Sequence, residues 1–321
     1  MTTCTVAIPV YNRRDLVRRA LESALAQDLP GLDILVVDNC SDDGTWQTLQ
    51  RYNDPRLRLV RNERNLGLFG NFNRCLELVN STYLRFLCSD DSLAPGCLRR
   101  EVALMERYPT AALLTTRGQL VDEALSPLGI QADLFGPGLY PGIQAIYATL
   151  WCQLAYGKNA INYPSGVLLR HAAVARAGTF DEQLRVVGDL DFFFRVLAHG
   201  DLIVLDALGC EIMLHGGQEG MAKARNGALV HEFELLLRRN EATLAVDRNV
   251  AALCQQLPGY ALWLALKFLR LRMLPEARLH LDLARSARLV TRLAALARML
   301  GLRTLLSLTR LRFLPLHPID Y

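Results

Sequence analysis

The stretch "CTVAIPVYNRRDLVRRALESALAQDLPGLDILVVD", residues 4–38, decides the fold. Its first seven residues read as a strand. "DLVRRALESALAQ" follows with Leu16, Ala20, Leu21, Ala24 and Leu25 at helical spacing. "LDILVVD" is a continuous β-branched run, which suits a central parallel strand covered on both faces. Strand, helix and strand in that order predict a βαβ unit. The cadence continues through "SDDGTWQTLQRY" (a cap-rich turn and short helix), "LRLVRN" (a third strand), "NFNRCLELVN" (a helix) and "YLRFLC" (a fourth strand). The prediction is an α/β fold: a Rossmann-like, mostly parallel sheet flanked by helices.

Between 117 and 160 the pattern loosens into "SPLG" and "GPGLYPG", and is expected to be a loop region over an active face or an insertion. "PSGVLLRHAAVARAG" then predicts a strand and helix, "GDLDFFFRVLAHG" a helix, and "LIVLD" and "CEIML" two further strands. From about 222 onward the pattern is helical, so the boundary is placed near 216–222. This gives a sheet domain over 1–220 and a helical region over 221–321.

With 321 residues, 51% hydrophobic content and mean hydropathy +0.14, the chain can bury a substantial core. A net charge of +4 and a pI near 8.6 suit an anionic ligand or membrane surface but fall far short of a nucleic-acid binder. The eight cysteines form no C-x-x-C pair, which argues against an oxidised scaffold or structural zinc and for a reducing cytoplasm. The most apolar run, "YALWLALKFLRLRML", is broken by Lys267, Arg270 and Arg272, so no transmembrane span is expected. Arg residues interleaved with Leu and Ala toward the C-terminus allow two readings, a helical subdomain packed on the core or a peripheral contact with the membrane's inner face.

In an open α/β sheet the ligand crevice lies outside the carboxyl ends of the strands. Polar clusters fall there: Pro9, Tyr11 and Asn12 after the first strand, Asp38 to Asp43 after the second, and Asp90 with Asp91 after the fourth. Carboxylates on one rim repel an anionic ligand unless a divalent cation intervenes. Mg2+ binds through one or two carboxylates plus substrate phosphates. A helix cap beginning near Pro95 is the competing account of Asp90 and Asp91.

The order "VAIPVYNRRDLVRRALESALAQ", "DILVVDNCSDDGT", "RNERNLGLFGNFNRCLELVNSTYLRFLCSDDSLAPGCL", "VVGDLDFFFRVLAHG" and "MLHGG" resembles the inverting family 2 glycosyltransferases of GT-A fold, over roughly residues 3–216. That resemblance implies transfer of a sugar from a pyrimidine nucleotide (UDP or dTDP) to a saccharide or lipid-linked saccharide, as in polysaccharide or O-antigen synthesis. By the same resemblance Pro9, Val10, Tyr11 and Asn12 line the nucleoside pocket, and Asp38 accepts a hydrogen bond from the base imide. Asn65, Gly67 and Asn71 match an "N-x-G" loop beside the nucleotide. Asp90 contacts the ribose or the metal, Asp91 ligates the metal, and His215 reaches the metal or the leaving diphosphate; with an imidazole present, Mn2+ is slightly favoured over Mg2+. Asp189 is the implied base that takes the acceptor's proton. Turn or cap roles remain open for Asp38, Asn65, Gly67, Asp189 and His215, and Asp191 with Arg195 reads as a plain ion pair. The chain departs from the family pattern at Cys88, where an acid is usual, and at Gly188, where Glu is usual. Those departures keep a catalytically degenerate nucleotide-sugar-binding protein as the alternative.

Overall fold

The computed structural model describes residues 3–131, 135–156, 159–215 and 228–240, with isolated positions between 262 and 281. The strands are β1 (Cys4–Val10), β2 (Leu32–Asp38), β3 (Leu57–Arg61), β4 (Tyr83–Phe86), β5 (Ser92–Leu93), β6 (Ala111–Val121), β7 (Pro127–Ile130), β8 (Gly138–Tyr140), β9 (Val167–Arg170) and β10 (Asp201–Met213). The helices are α1 (Val17–Leu25), α2 (Thr45–Leu49), α3 (Leu68–Leu78), α4 (Cys97–Arg107), α5 (Gly142–Tyr156), α6 (His171–Ala177), α7 (Gly188–Leu197) and, in our numbering, α8 (Ala228–Arg239).

One sheet runs in the order β3-β2-β1-β4-β9-β6-β10-β5. The first four members are parallel, so the chain leaves β1, β2 and β4 on the same edge. The alternation of the strands explains the two-sided burial. Val6, Ile8, Val10, Ile34 and Val36 pack against Val17, Ala20, Leu21 and Ala24 of α1. The intervening Ala7, Leu35 and Val37 face Phe69, Phe72 and Cys75 of α3. Each large apolar side chain so buried contributes on the order of 1.5–3 kcal/mol, and this fixes the strand register.

Two expectations are corrected. The segment 117–160 is not an open loop: among the described residues it completes β6 and supplies β7, β8 and α5. Helix α5 buries Ala145, Ile146, Thr149, Leu150 and Cys152, so it carries little of the apolar-polar alternation that marks a surface helix. "LIVLD" and "CEIML" form one strand, β10, whose register against β6 shifts on either side of Leu208. Its Gly209 lies so close to Thr116 that an added Cβ would fall 2.1 Å from Oγ1, so the glycine marks a bulge and not the end of a strand. Beyond β4 the sheet is mixed, with β9 antiparallel to both β4 and β6. Most of the residues expected to form the helical region 221–321 lie outside the described residues.

Gly188, which opens α7, packs against the buried ring of Phe69, itself stacked on Phe180 with centroids 5.2 Å apart. A Cβ at position 188 would meet the Phe69 ring at 2.4 Å. Gly188→Ala is therefore expected to lower stability by about 1–3 kcal/mol through overpacking. Urea denaturation checks this, and Phe69→Leu in the same chain should recover part of the loss.

Candidate active site

Between β1 and β2 the site is held by reciprocal hydrogen bonds. Asn12 adopts a left-handed backbone (φ 50°), its N–H donates to Ser41 Oγ at 2.9 Å, and its side chain donates to Asp42 Oδ1 at 2.8 Å. Pro9 and Val10 are buried in register with Val37 and Asp38. Tyr11, just past the strand, leaves 41% of its surface exposed. Asp38 is fully buried, paired with Arg61 Nε at 3.1 Å and accepting the Ser41 N–H at 3.3 Å. These two partners leave its carboxylate room for a further donor.

Next to it lies an amide network. The Asn39 side chain donates to Asn65 Oδ1 (2.8 Å) and to the Gly67 carbonyl (3.1 Å). Asn62 bridges Asn39 and Asn71 at 3.0 and 2.9 Å, and Asn71 returns to the Val37 carbonyl at 3.1 Å. Gly67 takes φ 80°, which a side chain disfavours, and its N–H donates to Asn65 Oδ1 at 2.8 Å. Asn65, Gly67 and Asn71 are thus one assembly on the end of β2. Of its members, Asn39 was expected only as part of the polar cluster after the second strand, and Asn62 was not foreseen.

Past β4 the two adjacent acids diverge. Asp91 is buried; its Oδ2 accepts the Ser165 hydroxyl at 2.6 Å and its Oδ1 accepts the Met213 N–H at 3.0 Å. Burial first, and then the neighbouring Asp90 carboxylate, push the Asp91 carboxyl up to about 8. Asp90 turns outward to His215, with Oδ2 2.9 Å from Nε2. It caps no helix, since α4 begins at Cys97 behind an N-cap Gly96 and has no side-chain cap. Arg19 of α1 reaches across to the Asp90 carbonyl (3.2 Å), Ser92 Oγ (2.9 Å) and Glu211 Oε2 (2.8 Å), tying α1, β5 and β10 together behind the acids.

Asp189 lies half-buried in the first turn of α7 and accepts the Leu190 N–H at 2.8 Å. Burial pushes its carboxyl up to about 6. The acid groups share one neighbourhood: Cys88, its thiol raised by burial, feels the charges of Asp91, Asp90 and Asp189. Tyr163, 42% exposed, has its phenol raised by burial, Asp189 and Asp91. Asp191 pairs with Arg195 at 2.8 Å, as expected, and also accepts the Asn240 side chain at 2.9 Å. Glu232 of α8 accepts the N–H groups of Val186 and Val187 at 2.6 and 3.2 Å, holding the entrance of α7.

For a divalent cation the donor set fits. Cys88, Asp90 and Asp91 each present one ligand atom, and these lie within 4.8 Å of one another. Carboxylate oxygens suit Mg2+ and Mn2+, and the imidazole attached to Asp90 suits Mn2+ and Zn2+.

Residues 5–162 match the family model for glycosyl transferase family 2. Among relatives, the chain is 25% identical over 197 residues to the putative colanic acid biosynthesis glycosyl transferase WcaA of Escherichia coli K12, covering 60% of this chain and 65% of WcaA. It is 29% identical over 106 residues to the Escherichia coli UDP-Glc:alpha-D-GlcNAc-diphosphoundecaprenol beta-1,3-glucosyltransferase WfaP, covering 33% of this chain and 42% of WfaP. The chain thus spans less than two thirds of either relative. The crystal structure of Staphylococcus aureus TarS 1–349 in complex with UDP-GlcNAc superposes with a TM-score of 0.59 at 18% identity, over 89% of this chain and 92% of that one, and has the same fold.

Ser165→Ala strips the hydroxyl donor from Asp91 in a buried setting. It is expected to cost about 1–3 kcal/mol, measured as a lower denaturation midpoint in urea.

Proposed function

From a chain that belongs to glycosyl transferase family 2 through residues 5–162, we propose an inverting transferase that moves a sugar from a pyrimidine nucleoside diphosphate to an acceptor hydroxyl in cell-surface polysaccharide synthesis. One observation carries the reading: Asp189, with its carboxyl raised to about 6, shares a neighbourhood with Asp90 and Asp91 at the exit of β4. A general base works best with a pKa near the operating pH, and this shift moves the carboxyl in that direction.

In this reading the base and ribose lie over the ends of β1 and β2. Tyr11 borders the nucleoside, and Asp38 accepts the imide proton of uracil or thymine. Asn65, Gly67 and Asn71 hold the loop beside it. Asp38 ends β2 and Asp90 follows β4, the two strands that flank β1. Asp90 and His215, with Asp91 behind them, are the residues that would hold Mn2+ or Mg2+. Bound there, such a cation supplies positive charge to the departing diphosphate. Asp189 takes the proton of the acceptor hydroxyl while that oxygen attacks the anomeric carbon opposite the leaving group, which inverts the centre.

The acceptor is proposed to be a saccharide, free or lipid-linked. WfaP, whose name specifies a diphosphoundecaprenol-linked sugar, supports the second form. Among the described residues no helix is long and apolar enough to cross a membrane. The proposed setting is the cytoplasm, where the region 221–321, with Arg interleaved among Leu and Ala, would meet a lipid-linked acceptor at the inner face.

Two outcomes test the reading. Asp189→Asn should reduce transfer from a UDP-sugar by about 100-fold or more, with nucleotide binding by calorimetry unchanged. A carboxyl raised in the folded state favours the fold only while protonated, so stability is lost as pH rises from the ordinary carboxylate range through about 6, where the folded carboxyl is half ionised. The same Asn variant should therefore melt at a higher temperature than the parent at pH 7, and transfer by the parent should rise with pH through about 6. A variant of unchanged rate, or a rate flat from pH 5 to 7, would remove Asp189 from the base role.

A further inference from the structure

Cys88 stands apart from the other described cysteines. Cys4, Cys75, Cys97, Cys152 and Cys210 are buried, and the half-buried Cys40 lies 3.6 Å from the Glu63 carbonyl. Cys88 is half-buried at the exit of β4, its ligand atom grouped with those of Asp90 and Asp91 within 4.8 Å. Three candidate ligand atoms of sulfur and oxygen type thus converge on one small region, as a single cation would require.

Its backbone is fixed in place. The Cys88 N–H donates to Ser165 Oγ at 2.9 Å, and the same hydroxyl donates to Asp91 at 2.6 Å, so one serine aligns the thiol and the carboxylate. Asp90 is oriented in turn by its contact with His215. Such outer partners set ligand direction as firmly as the ligands themselves. Resting on the cation-dependent reading above, we infer that Cys88 is a direct thiolate ligand, which makes the site a mixed sulfur and oxygen set that takes Zn2+ or Co2+ in preference to Mg2+. Thiolates select borderline and soft ions, whereas a carboxylate-only rim suits Mg2+ and Mn2+. As the metal–sulfur bond forms, the thiol proton leaves to solvent, so each ion bound at Cys88 releases one proton.

The test uses the full chain with Co2+, Zn2+ and Mg2+ as probes, in the parent, Cys88→Ser and Cys88→Asp. Co2+ should give the parent a near-ultraviolet thiolate-to-cobalt charge-transfer band that is missing from both variants. Calorimetry should show the preference for Zn2+ over Mg2+ falling about tenfold or more in Cys88→Asp, the size of effect expected for a lost ligand. Circular dichroism establishes that the variants are folded, and the band in the parent does not depend on either of them. Cobalt bound without a band, or a band that survives in Cys88→Ser, overturns the Cys88 assignment and leaves the cation reading standing. If no divalent cation binds even with UDP present, both fall.

Discussion

The arrangement of the site depends on one carboxylate taken out of water. An ionised carboxylate buried without donors costs several kcal/mol, so Asp91 can occupy its position only where hydrogen-bond donors are brought to it. They come from Ser165, 74 residues away, and from the Met213 N–H, 122 residues away. Meeting that demand draws the turn Pro164–Gly166 and the end of β10 onto the exit of β4. The other placements follow: Ser165 also fixes Cys88, and β10 delivers His215 two residues beyond Met213. Even so, burial leaves the Asp91 carboxyl raised to about 8, so its donors offset only part of the desolvation.

Two adjacent acids can coexist there because they do different things. Ser89 and Asp90 form the centre of a turn closed by the Asp91 N–H on the Cys88 carbonyl at 3.0 Å, and the turn sends Asp91 inward to its donors and Asp90 to His215. Arg19 adds positive charge behind both by binding the Asp90 carbonyl and lowers the cost at Asp91. The same logic separates the nucleoside end of the rim. Asp38 is balanced by Arg61 and the Ser41 N–H, so the acid clusters at the two ends of the crevice are neutralised locally and not against each other.

The parts of this structure that were legible in sequence are those written in local periodicity. β1 to β4 and α1, α3 and α7 carry runs whose period matches their element, and Asp38, Asn65, Gly67, Asp90, Asp91 and Asp189 sit at element ends where a rim residue is expected. What stayed hidden has no local signature. Helix α5 is apolar on several faces because it is buried, and β10 hides a bulge behind a polar-glycine segment that imitates a turn. Arg61, Asn62, Ser165 and Glu232 are single polar residues whose importance lies in partners 23 to 74 positions away, or in an ion pair across neighbouring strands. A serine after a proline gives no sign that it will meet a buried aspartate. Gly188 stands where an acid is usual, and the Phe69 ring packs against it so closely that it leaves no room for a Cβ there.

At Asp189 the first turn of a helix favours a carboxylate by about 0.3–1 kcal/mol, and the Leu190 N–H favours it further, so both local terms lower its pKa. The carboxyl is nevertheless raised to about 6, which means desolvation outweighs them. The elements responsible are remote in sequence. Glu232 of α8 holds the chain at Val186 and Val187, and the Phe69 ring closes against Gly188, so α7 begins inside the protein and not at its surface. A carboxyl at about 6 is still about nine-tenths ionised at pH 7 and binds a proton about 100-fold more tightly than an ordinary aspartate. For a base that must accept a proton from a sugar hydroxyl as the new bond forms, that combination is more useful than a freely solvated carboxylate, and it is produced by the packing around α7 and not by any neighbouring charge.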